Sequence, residues 1–149
     1  ATLPELCTIT VVMGSTSPWL DTVITKANQL PWLTEVKTGV SNMAELMANS
    51  DLAIGAAGST SWERCCLGLP TIMLVIAENQ IDIAENLGSI NAVKVVLNDS
   101  NLTQVINEYL FELIRNPEKL KVMNRSSADV LDGYGTYKVI EQMKSFYNE

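Results

Sequence analysis

Residues 51–70 read DLAIGAAGSTSWERCCLGLP, and the rest of the chain is interpreted as surrounding this segment. The apolar run Leu52–Ile54 predicts a short strand, and Gly55–Gly58 after it has almost no side chains. The hydroxyl run Ser59–Ser61 opens a helix, and Gly68–Pro70 end it. The stretch therefore predicts a strand, a loop of small residues and a helix.

The loop of small residues is suited to a phosphate-sized ligand. Such a loop lets a ligand approach the backbone, and a helix start presents unpaired N–H groups that favour an anion. No Lys or Arg lies between Leu52 and Glu63, so backbone amides and hydroxyl groups would hold a phosphate. Neither a GKS/T nor a GxGxxG pattern is present, and the residues alone predict only an anionic ligand.

The composition limits the class of protein. The 149 residues are 47% apolar and 18% charged, which predicts one ordinary globular domain. The net charge of −7 argues against a nucleic-acid-binding surface. No apolar run approaches the ~20 residues of a membrane span, and no signal peptide is recognisable. We therefore expect a cytoplasmic protein without a membrane span.

Histidine is absent, which removes the commonest general base and zinc ligand. Any chemistry must therefore rest on carboxylates or Lys, or on a group outside this chain. No catalytic residue, metal or cofactor is assigned to the chain. The three cysteines form no CxxC pair. We expect Cys7 in a strand, with the adjacent Cys65 and Cys66 as buried thiols of a reducing compartment.

Strands alternate with helices along the first two thirds of the chain. We expect five strands, at Cys7–Met13, Leu33–Lys37, Leu52–Ile54, Thr71–Ile76 and Ala92–Leu97. Their connecting helices are expected at Trp19–Leu30 behind a Ser17-Pro18 cap, from Asn42, at Thr60–Leu67, and at Gln80–Leu87 with Gly88 as its stop. A tail of helices follows, at Leu102–Arg115, from Asn116-Pro117, and from Tyr137 to Tyr147 after a break at Asp132–Gly135.

This alternation predicts an α/β fold. Strands separated by helices of about ten residues form a parallel sheet with right-handed crossovers. We expect a Rossmann-like, three-layer domain with about five strands and a helical C-terminal tail. The run Thr71–Ile76 is apolar throughout, as in a strand covered on both faces. Cys7–Met13 is also interpreted as a buried strand.

Ligands of such sheets bind beyond the carboxyl ends of the strands. The loops at that edge are Gly14–Ser17, Thr38–Asn42, Gly55–Thr60, Ala77–Gln80 and Asn98–Asn101. Glu63 has two interpretations there. Its spacing from Thr60 is that of a capping box, which spacing alone favours. Alternatively, its carboxylate accepts hydrogen bonds from ribose hydroxyls.

Four segments carry a resemblance to a known family: Ser41–Ala48, Asp51–Thr71, Ala77–Gln80 and Asp132–Gly135. Together they resemble the C-terminal domain of the UDP-sugar hydrolases of pseudaminic acid biosynthesis, the PseG and SpsG-type proteins. More distantly, they resemble the nucleotide-binding half of the peptidoglycan N-acetylglucosaminyltransferase and other two-domain GT-B enzymes. The resemblance covers most of the chain and implies the C-terminal half of a GT-B fold.

The resemblance also implies a binding site for a UDP-sugar. Its residues are Gly58, Ser59, Thr60, Glu63, Val40, Met43, Asn79 and Gln80. By this resemblance the first three hold the pyrophosphate, and Glu63 binds the ribose hydroxyls rather than capping the helix. The loop Gly39–Met43, which includes Val40, frames uracil through its backbone, and Met43 lies against the ribose. Asn79 and Gln80 reach the sugar or phosphate.

The chain also departs from these hydrolases. It has neither their Gly-Gly-His motif, whose His is the expected base, nor the strand and Gly-rich loop that usually open their C-terminal half. It also begins without Met. We therefore expect residues 1–149 to be one nucleotide-sugar-binding domain of a longer two-domain enzyme, inactive without its N-terminal catalytic domain.

Three functions follow from these observations. The first is the UDP-sugar-binding half of a hydrolase that releases UDP and a free deoxy-diacetamido sugar for polysaccharide or sialic-acid-like sugar biosynthesis. The second is the nucleotide-binding half of a GT-B glycosyltransferase. The third is a non-catalytic partner subunit. A sheet that lacks its first strand exposes an edge, which also predicts a homodimer or docking on another chain.

Overall fold

The computed structural model describes residues 8–97 and 101–147. Its five strands are β1 (Thr8–Met13), β2 (Leu33–Thr38), β3 (Ala53–Ala56), β4 (Thr71–Val75) and β5 (Val93–Leu97). Its α-helices are α1 (Leu20–Ala27), α2 (Met43–Ala48), α3 (Thr60–Cys66), α4 (Ile81–Ser89), α5 (Leu102–Arg115), α6 (Pro117–Ala128) and α7 (Gly135–Tyr147). The expected α/β order is confirmed, while Cys7 and residues 98–100 lie outside the described residues.

The chain forms two compact units, which divide between residues 43 and 44. All strand pairs are parallel, as expected, and they form two hydrogen-bonded sheets, β1-β2 and β3-β4-β5. Within the described ranges, no ladder joins the two sheets into one. The five predicted strands are therefore present in the predicted direction but are grouped two and three.

The first unit contains the β1-β2 pair, in which Thr8 lies opposite Leu33 and Met13 opposite Thr38. The prediction that β1 is buried is wrong, because its residues alternate between exposed and half-buried. Helix α1 packs against β2, and one helix cannot cover both faces of a strand pair.

Helix α1 is shorter than predicted at both ends. It begins at Leu20, with Trp19 in the cap position and no side-chain cap bond. Ser17 Oγ only accepts a long bond of 3.4 Å from the Trp19 amide, so the predicted Ser17-Pro18 cap is wrong. After Ala27 the chain tightens, since the Leu30 amide donates to the Ala27 carbonyl three residues back, at 3.2 Å.

The second unit is a three-layer sandwich around β3, β4 and β5. One cluster of buried side chains lies between the sheet and helices α3 and α4, and comprises Ala57, Cys65, Met73, Val75, Ala84, Leu87, Ala92 and Val93. A second cluster lies on the other face, against α5 and α6, and comprises Ile72, Val96, Leu113 and Met123. Strand β4 is thus covered on both faces, as its sequence predicts.

Gly68 ends α3, as predicted. Its φ of +63° is left-handed, which favours glycine. The Gly68 amide donates to the Cys65 carbonyl at 2.8 Å, and the Leu69 amide donates to the Arg64 carbonyl at 2.9 Å. These two bonds form a Schellman motif, which satisfies carbonyls that the helix end would leave unpaired.

Gly88 does not end α4, so that prediction is wrong. It lies inside the helix, and the left-handed residue is Asn91, with a φ of 58°. The Ala92 amide donates to the Leu87 carbonyl at 3.0 Å in the same type of motif. A Cβ on Gly88 would lie 2.9 Å from Val95 Cγ2, so this glycine allows α4 to approach β5 closely.

The helical tail agrees with the prediction in order and nearly in bounds. Helix α5 matches its predicted range, α6 begins at Pro117, and α7 begins at Gly135, two residues before the predicted Tyr137. In the described residues no helix combines the length and apolarity needed to span a membrane. Cys65 is buried as predicted, whereas Cys66 is exposed, so the prediction of a buried thiol is wrong for Cys66.

Candidate functional site

The loops after β3 and β4 leave the sheet at the same edge. In the parallel ladder Ala56 lies opposite Leu74. The pairing extends one residue further, because the Ala57 amide donates to the Leu74 carbonyl at 2.9 Å. This is the carboxyl edge of the three-stranded sheet, where ligands of parallel sheets bind.

Two backbone amides of the β3–α3 loop are not used by the fold. The Gly58 amide donates to the Ala56 carbonyl at 3.1 Å, and the Ser61 amide donates to the Gly58 carbonyl at 2.9 Å. Over the ranges that the structure describes, the amides of Ser59 and Thr60 have no acceptor. Both residues are exposed, so two donors remain for a ligand or for water.

The space beside Gly58 is open. A Cβ added to Gly58 would have no described atom within 4 Å, and its φ is not in the left-handed region. Neither the backbone conformation nor the packing therefore requires glycine there. The absence of a side chain instead leaves the backbone open to close approach.

Glu63 is not a helix cap. Ser59 occupies the cap position without a side-chain cap bond, and the helix begins at Thr60. The capping-box interpretation is therefore wrong, because the helix starts one residue earlier than the box requires. Glu63 is exposed, and its carboxylate makes no hydrogen bond or ion pair with any residue that the structure describes.

Arg64 lies beneath this loop and is only 6% exposed. Its Nη2 donates to the Ala56 carbonyl at 2.7 Å and to Ser61 Oγ at 3.2 Å. Its Nη1 lies so close to Gly55 that a Cβ there would overlap it. Burial lowers the pKa of the guanidinium, while the neighbouring Cys65 and Glu63 act in the opposite direction.

Arg64 was not among the predicted site residues, because it follows Glu63 and so lies just outside the segment Leu52–Glu63, which contains no Lys or Arg. Two signals could have found it. Arg64 lies three residues after Ser61 and so shares a helix face with it. The small residues Gly55–Ala57 provide space for a long side chain, and the guanidinium occupies that space.

Asn79 and Gln80 follow β4 in a short 3-10 helix, Glu78–Gln80. Gln80 Oε1 accepts a hydrogen bond from the Ile76 amide at 3.0 Å, which fixes the turn after the strand. Its side-chain NH₂ is the group that remains for a ligand. Asn79 is exposed, and the ligand roles of both residues stay predictions.

Val40 and the last predicted residue, Met43, belong to the first unit. They follow β2 beyond Gly39, whose φ of +61° turns the chain. Val40 and Met43 are both half-buried, and Met43 is the first residue of α2. The predicted uracil and ribose contacts of these residues stay predictions.

In the described part of the chain, no group of three His, Cys, Asp or Glu residues could hold a metal ion. The polar groups of the β3–α3 segment at the carboxyl edge are instead the amide and hydroxyl donors of Ser59 and Thr60 and the carboxylate acceptor of Glu63. This set can bind an anion and a diol, and it contains no residue arranged as a nucleophile with a base.

The family model of the glycosyltransferase family 28 C-terminal domain matches residues 8–143. Among curated proteins, the spore coat polysaccharide biosynthesis protein SpsG of Bacillus subtilis (strain 168) is 25% identical over 143 residues, covering 93% of this chain and 41% of that protein. The UDP-N-acetylglucosamine--N-acetylmuramyl-(pentapeptide) pyrophosphoryl-undecaprenol N-acetylglucosamine transferase of Lactococcus lactis subsp. cremoris (strain MG1363) is 31% identical over 98 residues, covering 62% of this chain and 28% of that protein.

Among solved structures, the crystal structure of Acinetobacter baumannii MurG matches with a TM-score of 0.75 at 21% identity. The match covers 95% of this chain and 42% of that one. The fold is therefore that of MurG over this region. The chain spans about two fifths of the length of SpsG and MurG.

Proposed function

This chain belongs to the glycosyltransferase family 28 C-terminal domain family, and we propose on that premise that it binds the UDP part of a nucleotide sugar. The observation that carries the proposal is the β3–α3 loop, where the exposed amides of Ser59 and Thr60 have no acceptor among the described residues. Open space beside Gly58 lets a diphosphate approach them. Backbone N–H groups held in this way are effective anion donors.

Glu63 is the proposed ribose ligand. It follows the loop by one helical turn and its carboxylate is exposed. A carboxylate can accept hydrogen bonds from both hydroxyls of a ribose. Within the same unit, Asn79 and the side-chain NH₂ of Gln80 are the proposed ligands of the sugar or phosphate.

We propose a glycosyltransferase as the parent enzyme. The family name and the transferase of L. lactis favour this function over the hydrolase that the sequence resemblance put first. In a transfer reaction, the loop amides would stabilise the negative charge that develops on the departing diphosphate. The domain that holds the acceptor and activates it would come from the rest of the parent protein.

The hydrolase is the second candidate, and it rests on the resemblance of the sequence motifs to UDP-sugar hydrolases. The name of SpsG, which matches over 93% of this chain, indicates only polysaccharide biosynthesis. The two functions differ in product. The full-length parent protein, incubated with UDP-N-acetylglucosamine and candidate acceptors, releases a free sugar if it is a hydrolase and forms a glycoside if it is a transferase. Chromatography of the sugar products distinguishes the two.

Calorimetric titration of this chain with UDP and with 2′-deoxy-UDP tests the binding proposal. We expect UDP to bind about tenfold more tightly than its deoxy analogue, since a charge-assisted hydrogen bond contributes about 1.4 kcal/mol. Glu63→Gln should weaken UDP binding and reduce this preference.

Glu85→Gln is the matched control, because Glu85 is an exposed carboxylate on α4 in the same unit. It should leave both affinities unchanged. An unchanged preference for UDP in Glu63→Gln would remove Glu63 from the site. Failure of the wild-type chain to bind UDP would overturn the proposed function.

A further inference from the structure

Arg64 is a buried cation without a carboxylate partner. Its side chain is 6% exposed, and none of the ion pairs among the described residues includes it. Its Nε is fully buried and has no hydrogen-bond partner. Buried charges in proteins are normally paired with an opposite charge, and Arg64 departs from that pattern.

The guanidinium remains charged in this position. Burial lowers its pKa, but arginine stays protonated in proteins at neutral pH. The groups that it contacts are neutral, namely the Ala56 carbonyl and Ser61 Oγ. The positive charge is therefore solvated in part by these oxygens and is not neutralised by them.

The charge lies directly under the proposed diphosphate loop. The guanidinium packs against Gly55 and bonds to the next residue, Ala56. Two residues further along is Gly58, where the backbone is open. Because the guanidinium is buried, its attraction for an anion at Gly58–Thr60 would be screened less than the attraction between two solvent-exposed charges.

We propose that Arg64 is a positioning residue that supplies the counter-charge for a diphosphate bound at Gly58–Thr60, acting through the loop backbone rather than by contact. This inference rests on the proposed function and deepens it. It explains how a chain of net charge −7 could bind a multiply charged anion at a loop that has no cation of its own. The ligand class that it selects is a nucleoside diphosphate over the uncharged nucleoside.

A purely structural role for Arg64 predicts different behaviour. In that case the fork of the guanidinium would only hold the loop through the Ala56 carbonyl and Ser61 Oγ. Lysine keeps the charge but loses the planar fork, whereas glutamine keeps hydrogen-bonding capacity but loses the charge. Arg64→Lys and Arg64→Gln therefore separate charge from geometry.

The test is titration of wild type, Arg64→Lys and Arg64→Gln with UDP, inorganic pyrophosphate and uridine, followed by NMR. We expect Arg64→Gln to lose about tenfold or more in affinity for UDP and pyrophosphate, while Arg64→Lys stays within about threefold of wild type. Uridine affinity should change by less than about twofold in both variants, because uridine carries no charge.

Equal losses for UDP and uridine, or equal losses in the two variants, would show a structural role and overturn the inference. If the wild type binds UDP and Arg64→Gln binds it equally well, the inference fails and the proposed function stands. If the wild type binds pyrophosphate but shows no preference for UDP over it, the nucleotide function fails and the charge role stands. Binding of neither ligand overturns both.

A measurement on the wild type alone covers the case in which a variant does not fold. The Nε–H of Arg64 is buried and has no acceptor, so its NMR signal should be resolved and sensitive to a nearby charge. We expect this signal to shift with pyrophosphate, with the same dissociation constant as the amides of Ser59 and Thr60. A signal that stays unmoved while those amides saturate would overturn the inference.

Discussion

At the residue scale, Gly55 in β3 and Gly58 in the loop after it have different neighbours. A methyl group on Gly55 would overlap the guanidinium of Arg64, whereas one on Gly58 would meet no described atom within 4 Å. The first glycine therefore accommodates a side chain of the fold. The second leaves space that, in our account, a diphosphate occupies.

Alanine substitutions of these two glycines should affect different properties: stability at Gly55 and UDP affinity at Gly58. Gly55→Ala is expected to lower the free energy of unfolding by about 1–3 kcal/mol, as overpacking does. Gly58→Ala is expected to leave it unchanged or raise it by up to about 1 kcal/mol, yet to weaken UDP binding by about tenfold or more. Chemical denaturation and calorimetry measure the two effects.

The two variants serve as controls for each other. If Gly58→Ala destabilised the fold as much as Gly55→Ala, the space beside Gly58 would have a structural purpose. If it bound UDP as well as wild type does, the diphosphate could not approach the backbone at Gly58.

The limits of sequence reasoning are clearest at single residues. The loop was predictable because glycine and alanine in a row leave a recognisable pattern. The role of Glu63 was not predictable, because its spacing from Thr60 fits both a helix cap and a free carboxylate. The burial of Arg64 depends on the space beside Gly55, which only the packing of α3 against β3 creates.

At the scale of secondary structure, helix α5 is tied to two neighbours through one carboxylate. Glu112 of α5 pairs with Lys94 of β5 at 3.1 Å and also accepts a hydrogen bond from Lys119 of α6. The bond from Lys119, followed by the one from Lys94, lowers the pKa of Glu112 below its usual value of 4.5. The folded state thus favours the ionised carboxylate.

This coupling predicts a pH-dependent contribution to stability. A lowered pKa in the folded state gives stability that is present above about pH 4.5 and is lost as the pH falls through the folded-state pKa. At pH 7 we expect Glu112→Gln to melt about 2–4 °C below wild type. The difference should shrink below about pH 4.5.

Glu141→Gln is the control at this scale, because Glu141 pairs with Lys144 within the same helix and its side chain is 73% exposed. Exposed pairs contribute little to stability, so its melting temperature should follow wild type at every pH. A constant difference between wild type and Glu112→Gln from pH 7 to pH 3 would show that ionisation of Glu112 does not stabilise the fold.

The ends of the elements were harder to predict than their order. Gly88 carries the usual signal of a helix stop, but its place against Val95 gives it a packing role, and Asn91 takes the left-handed conformation instead. The β-branched sequence of β1 does not indicate whether one face or both faces of the strand are covered by other elements. The end of α4 and the burial of β1 both depend on contacts with residues of other elements, and a local sequence pattern carries no information about those contacts.

At the scale of the whole molecule, the α/β class was predictable because apolar runs such as Thr71–Ile76 alternate with amphipathic helices, and this order permits few topologies. The grouping of the strands into a pair and a triplet was not predictable, because the sequence indicates the order of the strands along the chain but not which strands pair. The chain matches the family 28 C-terminal domain from residue 8 to residue 143. Its proposed function accordingly concerns binding, and catalysis is assigned to the parent protein.

The most direct test of this account is a titration of the ¹⁵N-labelled chain with UDP, followed through the backbone amide signals. We expect the largest shifts at Gly58, Ser59 and Thr60, saturating with one dissociation constant, and smaller shifts at Glu63. Uridine at the same concentrations should move these three amides far less. No shift at Gly58–Thr60 under saturating UDP, or saturable shifts confined to the opposite edge of the sheet, would contradict the account.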